Sequence, residues 1–188
     1  MIIRCTVFDP REKELYELGP RATARKAEAY LKKTGIADQA IFGPETEFFI
    51  FDSVSYHTAS GGCAYQIKSA EAFWSSGNDE DGNNSGYHIR EKAGYFSTSP
   101  MDTGDDIRAE ICHQLKEVGI AVEVHHHEVA TAGQSEVVTR FNTLTQKADE
   151  LQDIKYVAKN VAASFNKSVT FMPKPLATDN GSGLHVHQ

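Results

Sequence analysis

The chain has 188 residues, 40% hydrophobic and 24% charged, which is typical of a folded globular protein and excludes a disordered tail. Its 26 acidic residues against 19 basic ones give a formal net charge of −7, without any Lys/Arg-rich block, and this argues against nucleic acid or an anionic membrane as the main partner. No apolar run approaches the roughly 18 residues of a membrane span, so we expect a cytoplasmic protein whose partner is a cation or a small molecule.

The first half of the chain predicts two strands and one helix, followed by a long irregular segment. The strands are predicted over 2–8 and 40–52 and the helix over 20–34. Pro20 suits the first turn of that helix, and Gly35 suits its end. Residues 53–100 contain only short strand-like pieces and a polar segment, 77–86, that cannot build a core, so we expect a long surface excursion there.

The second half predicts two more helices and four strands. The helices are predicted over 102–118 and 142–166, and the strands over 121–128, 135–141, 169–172 and 183–187. Asp102 or Thr103 is the expected N-cap of the first of these helices. The strands 121–128 and 135–141 are expected to pair as a hairpin around Ala132, which makes part of the sheet antiparallel. We therefore predict an α+β fold rather than a doubly wound parallel one.

We expect both ends of the chain to be cut points in a longer protein. The strand over 2–8 starts as soon as the chain does and has no neighbour before it to pair with. The strand over 183–187 stops just before the chain ends, with no turn after it. Strands without partners leave open edges, so we expect a chain of this length to be marginally stable alone.

Glutamates on strands are the first candidate functional residues. In the strand over 40–52, the two-residue period places Glu45 and Glu47 on one face. Two carboxylates on a mostly apolar, partly buried strand repel each other unless a cation binds them. Two solvated glutamates at a frayed strand end are the alternative interpretation.

The predicted hairpin adds a second pair of carboxylates. A turn centred on Ala132 sets Glu128 directly opposite Glu136, with Cβ atoms roughly 5 Å apart, where like charges are destabilising. A divalent cation would relieve both pairs, and carboxylate oxygens favour Mg²⁺ or Mn²⁺ over zinc. A one-residue slip of the strand pairing would separate the two glutamates.

Histidines lie on the same predicted strands as these glutamates. Alternation places one of three consecutive histidines, His126, on the face of Glu128. In the last strand His185 and His187 share a face, and the loop 179–183 before them offers backbone N–H groups suited to a carboxylate or phosphate. Each imidazole can be a metal ligand, a phosphate contact or an ordinary core residue. Their clustering with four glutamates favours a metal–phosphate site.

Several sequence segments resemble bacterial type I glutamine synthetases. They are Glu-Thr-Glu-Phe-Phe (45–49), His-His-His-Glu-Val-Ala-Thr-Ala-Gly-Gln (125–134), Arg-Phe-Asn-Thr (140–143), Phe-Met-Pro-Lys-Pro (171–175) and Asp-Asn-Gly-Ser-Gly-Leu-His-Val-His (179–187). The resemblance covers nearly the whole chain, in the family's order. It implies a curved, mainly antiparallel sheet with flanking helices, with residues 1–19 a remnant of a β-grasp amino-terminal domain and residues 20–188 the first part of the catalytic domain.

The resemblance also implies an activity, the ATP-dependent ligation of ammonia to L-glutamate through γ-glutamyl phosphate. Two divalent metal ions per site, Mg²⁺ or Mn²⁺, would be the cofactors, and L-glutamate, ammonium and ATP the small-molecule partners. In the family the homo-oligomer is a dodecamer of two hexameric rings, so we expect a homo-oligomer here.

Residue roles follow from the same resemblance. Those resembling ligands of the metal on the glutamate side are Glu47, Glu128 and Glu136. Those resembling ligands of the metal that bridges the ATP phosphates are Glu45 and His185. The other implied roles are glutamate binding by Asn180 and Gly181, nucleotide contacts by Glu123 and His187, a place near the transferred phosphate for His126, and a place near the ammonium site for Tyr95.

Some parts of the family's pattern are not found in these 188 residues. They include most of the amino-terminal domain, the arginines that bind glutamate and phosphate, and the lid glutamate. We therefore expect the isolated chain to lack full activity. The alternatives are a non-catalytic metal- or nucleotide-binding remnant, an interaction module, and a γ-glutamyl-amine ligase.

Overall fold

The structure is a computed structural model, and it describes residues 2–75 and 86–188. The helices in these residues are α1 (Pro20–Thr34), α2 (Asp105–Glu117) and α3 (Leu144–Ser164), with a short 3₁₀ turn at Phe73–Ser75. The strands are β1 (Ile41–Phe51), β2 (Ser53–Ala59), β3 (Gly62–Lys68), β4 (Val122–His127), β5 (Gln134–Thr139), β6 (Asn142–Thr143), β7 (Ser168–Thr170) and β8 (Leu184–His187). Residues 77–85 of the predicted polar segment lie outside the described residues.

The helices lie close to their predicted limits. α1 matches its prediction and ends at Gly35, which has a left-handed φ of 71°. α2 begins later than predicted, with Gly104 rather than Asp102 or Thr103 as its N-cap. The Asp102 carboxylate instead accepts the Gly104 N–H at 3.0 Å and pairs with Arg108. Within the described ranges, none of the helices combines the length and apolar character that a bilayer crossing requires.

The strand predicted over residues 2–8 is wrong. In this segment the described chain makes one isolated bridge, between Phe8 and Leu15, and Ile2 and Ile3 are exposed. A strand needs a neighbour that completes its backbone hydrogen bonds, and no other strand of the described residues pairs with this segment.

Residues 53–68 form a hairpin where the sequence predicted an irregular excursion. β2 and β3 pair antiparallel, with Tyr56 opposite Tyr65. Nearly all of their side chains are exposed, so no apolar alternation marks either strand. The two-residue connection that contains Gly61 is the local signal for this hairpin.

β1 is the central strand of a six-stranded sheet. β5 pairs with one edge of β1 and β8 with the other, since Glu45 pairs with both Val138 of β5 and His185 of β8. β4 lies outside β5, and β7 pairs with the far end of β1. Every pair of strands in the described residues is antiparallel, which confirms the predicted α+β fold.

One face of β1 belongs to the main hydrophobic core. Phe48 and Ile50 pack there with Ile111 and Leu115 of α2 and with Ile154 of α3. These side chains are all buried, and each contributes about 1.5–3 kcal/mol relative to an exposed position. This packing fixes which side of β1 faces the helices.

The opposite face of β1 is divided into an apolar part and an acidic part. Phe49 and Phe51 stack with ring centroids 5.5 Å apart and are covered by a second cluster that includes Leu176. Glu45 and Glu47 lie on the same face nearer the start of the strand, as the alternation predicts. The acidic end of this face is where the candidate site forms.

Arg108 forms a buried ion pair beside α2 and also contacts the sheet. Arg108 is 1% exposed, and its guanidinium donates to the Asp102 carboxylate at 3.0 and 2.5 Å. Its Nε lies 3.4 Å from Nδ1 of His125 on β4. Burial and the Arg108 charge lower the pKa of His125, so the ring stays neutral and can accept this N–H.

Replacing Arg108 by Met is expected to lower the free energy of unfolding by about 3–5 kcal/mol, because it leaves the Asp102 carboxylate buried and unpaired. The double variant Arg108→Met/Asp102→Asn should recover part of this loss, since the charge is gone while the Asn oxygen can still accept the Gly104 N–H. Urea unfolding followed by circular dichroism measures both values. Equal losses in the single and double variants would show that the unpaired charge is not the cause.

Candidate functional site

Side chains from three adjacent strands form a polar row on the face of the sheet opposite the helices. Glu47 of β1 pairs with Glu136 of β5, and Glu136 pairs in turn with His126 of β4. His126 Nε2 lies 3.2 Å from Glu136 Oε2. Directly paired residues of antiparallel strands point to the same face, so the three side chains converge.

Glu128 reaches the same row from the turn after β4. The predicted pairing of Glu128 with Glu136 is wrong, because His126 occupies that place and the Glu128 N–H donates to Gln134 O at 2.7 Å. The pairing is shifted from the prediction by two residues, and a shift of two keeps every side chain on its predicted face. The Glu128 carboxylate therefore still lies beside the row, with Oε1 3.7 Å from His126 Nδ1.

Three of these residues meet the geometric requirement for a shared cation. One donor atom from each of His126, Glu128 and Glu136 lies within 4.8 Å of the other two. Their side chains are 11%, 10% and 7% exposed, so water screens their charges poorly. A carboxylate-rich set of this kind suits hard divalent cations.

The crowding of carboxylates perturbs their acidity. Burial, together with the hydrogen bond and charge of Glu128, raises the pKa of Glu136 to about 8. Burial also raises the pKa of Glu47, and the Gly183 N–H, 2.9 Å from Glu47 Oε2, offsets part of that effect. Without a cation the site therefore holds a proton at neutral pH that a bound cation would displace.

β8 adds two imidazoles at the rim of the acidic row. His185 pairs with Glu45, and its Nε2 lies 4.0 Å from Glu47 Oε1. His187 Nε2 lies 2.8 Å from Glu45 Oε1. The two imidazoles are 70% and 72% exposed, so they remain open to a ligand from solvent.

Two aromatic side chains cover His126. The Phe96 ring stacks on the imidazole at 4.5 Å between centroids with an interplanar angle of 15°. The Tyr95 ring meets the same imidazole at 5.7 Å with an angle of 79°. Tyr95 is 60% exposed, so its hydroxyl-bearing ring borders the site while remaining accessible.

A glycine allows this aromatic segment to approach the sheet. The Gly94 N–H donates to Val129 O at 2.9 Å, and the Phe96 N–H donates to His127 O at 3.0 Å. A Cβ at position 94 would lie 2.5 Å from Glu128 O, a distance that real Cβ atoms do not adopt. Gly94 is therefore the residue that lets Tyr95 and Phe96 lie over the site.

The loop after β7 forms another wall. Asp179 is 1% exposed, and its carboxylate accepts the N–H groups of Lys92, Thr131 and Asn180 at 3.1, 2.7 and 2.9 Å. These bonds fix the start of the loop and place Asn180 in the wall. Gly181 packs against the backbone of the preceding turn with no room for a side chain.

Together these elements enclose a mostly polar cleft of about 570 Å³. The predicted site residues that line it are Glu45, Glu47, Tyr95, His126, Glu128, Glu136, Asn180 and His185. Gly181 backs the loop, and His187 lies beside Glu45 at the rim. Residues predicted from four separate parts of the sequence thus share one cavity.

The structure does not bring Glu123 into this cleft. The strand pairing of β4 is irregular between Val122 and Val124, and Glu123 lies within that irregularity. Its side chain is half-exposed, with Oε1 3.7 Å from Arg140 Nε. The nucleotide contact that the resemblance implies for Glu123 stays a prediction.

Sequence reasoning missed a buried pair behind the site. His127 is fully buried, with Nε2 3.0 Å from Glu71 Oε2 and Nδ1 2.6 Å from Glu128 O. Burial lowers the pKa of His127, but the hydrogen bond and charge of Glu71, the hydrogen bond to the Glu128 backbone and the Asp102 charge together outweigh burial, so the pKa is raised overall. The two residues are 56 positions apart, and no local pattern relates them. The pair holds the backbone of Glu128 in place.

The fold and the cleft define the class of protein as an α+β domain whose antiparallel sheet carries an acidic, loop-bordered site suited to divalent cations. The chain belongs to the glutamine synthetase family, since the family model of the glutamine synthetase catalytic domain matches residues 17–188.

Individual relatives agree with this assignment. The glutamine synthetase of Vibrio cholerae is 51% identical over 99% of the chain, and the 3-hydroxylaminophenol mutase of Cupriavidus pinatubonensis is 52% identical over 100% of it. The chain spans 40% of the length of each. The solved structure of Plasmodium falciparum glutamine synthetase matches with a TM-score of 0.82 and 34% identity, over 95% of this chain and 35% of the other.

The stability of the metal-free chain is expected to fall as the pH rises from about 5 to about 8. Burial and the neighbouring Glu128 raise the pKa of Glu136 to about 8 in the folded chain, against its ordinary value of 4.5 when unfolded, so the folded state binds more protons in this range. Thermal unfolding in EDTA at pH 6 and pH 8.5 measures the fall. The Glu136→Gln variant should show a smaller fall, and an identical fall in both proteins would remove Glu136 as a cause.

Replacing Gly94 by Ala is expected to lower the free energy of unfolding by about 1–3 kcal/mol, because the new Cβ meets backbone atoms that cannot move aside freely. Gly61→Ala is the matched control, since a Cβ there meets nothing within 4 Å. Urea unfolding of the two variants compares the losses. A Gly94→Ala protein as stable as the control would show that the aromatic segment has room to move.

Proposed function

We propose that this chain forms part of a glutamine synthetase, the enzyme that ligates ammonia to L-glutamate at the expense of ATP through γ-glutamyl phosphate. The observation that carries the proposal is the convergence of Glu47, Glu136, His126 and Glu128 in one cleft. Carboxylates arranged in this way are unfavourable for stability alone and are suited to holding divalent cations.

The residues present fit the metal ions that the family implies. Donor atoms of His126, Glu128 and Glu136 lie within 4.8 Å of one another, and burial together with the neighbouring Glu128 carboxylate raises the pKa of Glu136, an effect that a bound cation would oppose. Glu47 pairs directly with Glu136, and we assign Glu47, Glu128 and Glu136 to a metal on the glutamate side of the cleft, with His126 beside it. Mg²⁺ or Mn²⁺ in such a site would neutralise charge on a phosphoryl group during transfer.

A second cation site is proposed at the rim, with Glu45 and His185 as ligands that face the ATP phosphates. Support comes from their direct pairing across β1 and β8 and from the exposure of the imidazole. His187, at 2.8 Å from Glu45, and the more distant Glu123 are proposed as nucleotide contacts.

The chain's own groups are proposed to bind and orient the other reactants. Asn180 and Gly181 would hold glutamate, because the fixed start of this loop presents backbone and amide groups to the cleft. Tyr95 would border the ammonium site, and His126 would contact the transferred phosphate. The aromatic cover over His126 keeps water from one side of the imidazole.

The proposal concerns a contribution to the active site rather than complete turnover. The chain spans 40% of the relatives' length, so we expect it to need further structure for full activity. We propose the remaining assignments with it: residues 1–19 as a remnant of the amino-terminal domain, residues 20–188 as the first part of the catalytic domain, a homo-oligomer in the assembled protein, and a cytoplasmic location.

Two other functions are alternatives to that of a synthetase. A relative of similar identity is named for a different reaction, that of a 3-hydroxylaminophenol mutase. A non-catalytic interaction module would also keep the family's fold. The acidic cleft favours the ligase over the interaction module. A module that only docks a partner does not need three side chains whose possible metal-ligand atoms lie within 4.8 Å of one another.

The metal assignment predicts that Mn²⁺ binds the 188-residue chain and that the Glu128→Gln/Glu136→Gln variant binds it at least about tenfold more weakly. Isothermal titration at pH 7.5 measures both affinities. The control is Asp106→Asn/Glu117→Gln, which removes two exposed carboxylates from α2 and should leave the affinity unchanged.

Equal affinities in wild type and the Glu128/Glu136 variant would overturn the metal assignment. Turnover is tested separately by measuring hydroxamate formation by the same proteins from glutamate, ATP, Mg²⁺ and hydroxylamine. Hydroxamate formed by the wild type and lost in the variant would show that 188 residues are sufficient, contrary to the expectation stated above.

A further inference from the structure

The side chain of Gln134 links two parts of the cleft that belong to different segments of the chain. It is fully buried, and its Nε2 donates to Glu47 Oε2 at 3.0 Å and to Gly181 O at 2.8 Å. Its Oε1 accepts the Ala130 N–H at 2.8 Å. Both donor hydrogens and the acceptor of the amide are therefore used, and the side chain has one orientation.

Glu47 is also in direct contact with the loop 179–183. The Gly183 N–H donates to the same oxygen, Oε2, at 2.9 Å. One carboxylate oxygen thus accepts one hydrogen bond from the loop itself and one from Gln134, which holds the loop at Gly181. A change in the direction of this carboxylate must disturb both bonds.

We propose that Gln134 is a positioning residue that couples a cation at Glu47 to the order of the loop 179–183. The inference rests on the proposed function, because it takes Glu47 as a cation ligand and the loop as the binding site of a small amino-acid carboxylate. A cation held by Glu47 limits the rotation of its carboxylate, and that rotation sets whether Oε2 meets the Gln134 and Gly183 donors. Cation and carboxylate ligand then strengthen each other's binding, because coupling between two sites is reciprocal.

Amide hydrogen exchange of the 188-residue chain tests this coupling without any measurement of activity. With saturating Mn²⁺, exchange of the Gly183 amide and its neighbours in the loop is expected to slow by about tenfold, within the range of ordinary coupling between sites. Gln134→Glu keeps an acceptor for Ala130, removes the donor to Gly181 O, and sets a carboxylate against Glu47. This variant is expected to lose the Mn²⁺-dependent slowing in the loop.

The chain offers a closely matched control in α2. Gln114 Nε2 donates to Glu110 Oε1 at 2.7 Å, so Gln114→Glu makes the same chemical change against a carboxylate away from the cleft. This control should keep the full Mn²⁺ effect. If Gln134 served general stability only, its replacement would speed exchange throughout the chain and leave the Mn²⁺-dependent difference in the loop intact.

The possible results separate the inference from the proposed function. Slowing that persists in Gln134→Glu at saturating Mn²⁺ overturns the inference. A wild-type chain that binds Mn²⁺ without any change in the loop also overturns it, and leaves the metal assignment standing. A wild-type chain that binds no Mn²⁺ overturns both.

A second variant guards against a failure to fold. Gln134→Met removes the amide without adding charge and is expected to lose the same coupling. If circular dichroism shows that neither variant folds, hydrogen exchange of the Ala130 amide in the wild-type chain tests the inference, because this amide donates to Gln134 itself. Slowing at Ala130 in step with Gly183 supports the inference, and slowing at Gly183 alone overturns it.

Discussion

The register of β1 against β5 is the constraint on which the cleft depends. Phe48 and Val137 are fully buried on the helix face of these strands, and Glu47 and Glu136 alternate with them on the other face. A slip of one residue by either strand would carry its carboxylate into the core and its apolar side chain into the cleft. The burial of Phe48 and Val137, worth about 1.5–3 kcal/mol each, therefore also keeps the two carboxyl groups opposite each other.

The acidic row is held together against its own repulsion by contacts from outside the sheet. Glu47 accepts hydrogen bonds from Gln134 and Gly183, while burial and the neighbouring Glu128 raise the pKa of Glu136 to about 8. Directly opposed carboxylates are unfavourable in an ordinary sheet. A fold whose packing keeps them together is therefore locally less stable at this place than it could be. Local instability of this kind is characteristic of sites that bind a ligand.

Sequence reasoning recovered the faces of the site residues and not their pairing. Glu45, Glu47, His126, Glu128 and Glu136 lie on the faces predicted because side-chain alternation is a local property of a strand. The pairing of β4 with β5 depends on the turn between them, where Gln134 contacts Ala130 and the glycine before it has a φ of 72°. Those features belong to the turn and leave no trace in the apolar pattern, so the two-residue error in the register could not have been avoided by reading that pattern.

The same distinction explains which other residues were missed. Gln134, Asp179 and Glu71 act through partners 47 to 87 positions away, and each is buried. Their type and spacing resemble those of ordinary turn or surface residues, and only the fold reveals that their polar atoms are used. The hairpin of β2 and β3 was not predicted because its strands are almost wholly exposed, and exposed strands carry no apolar alternation.

Hydrogen bonding around His126 connects the cover of the cleft to its acidic floor. Nδ1 lies 3.1 Å from the His127 carbonyl oxygen, which can only accept, so Nδ1 carries a proton. Nε2 lies 3.2 Å from Glu136 Oε2, so the other ring nitrogen faces the acidic floor. Because Phe96 stacks on the ring and limits its rotation, the imidazole is held beside the Glu128 and Glu136 carboxylates, where donor atoms from the three residues lie within 4.8 Å of one another.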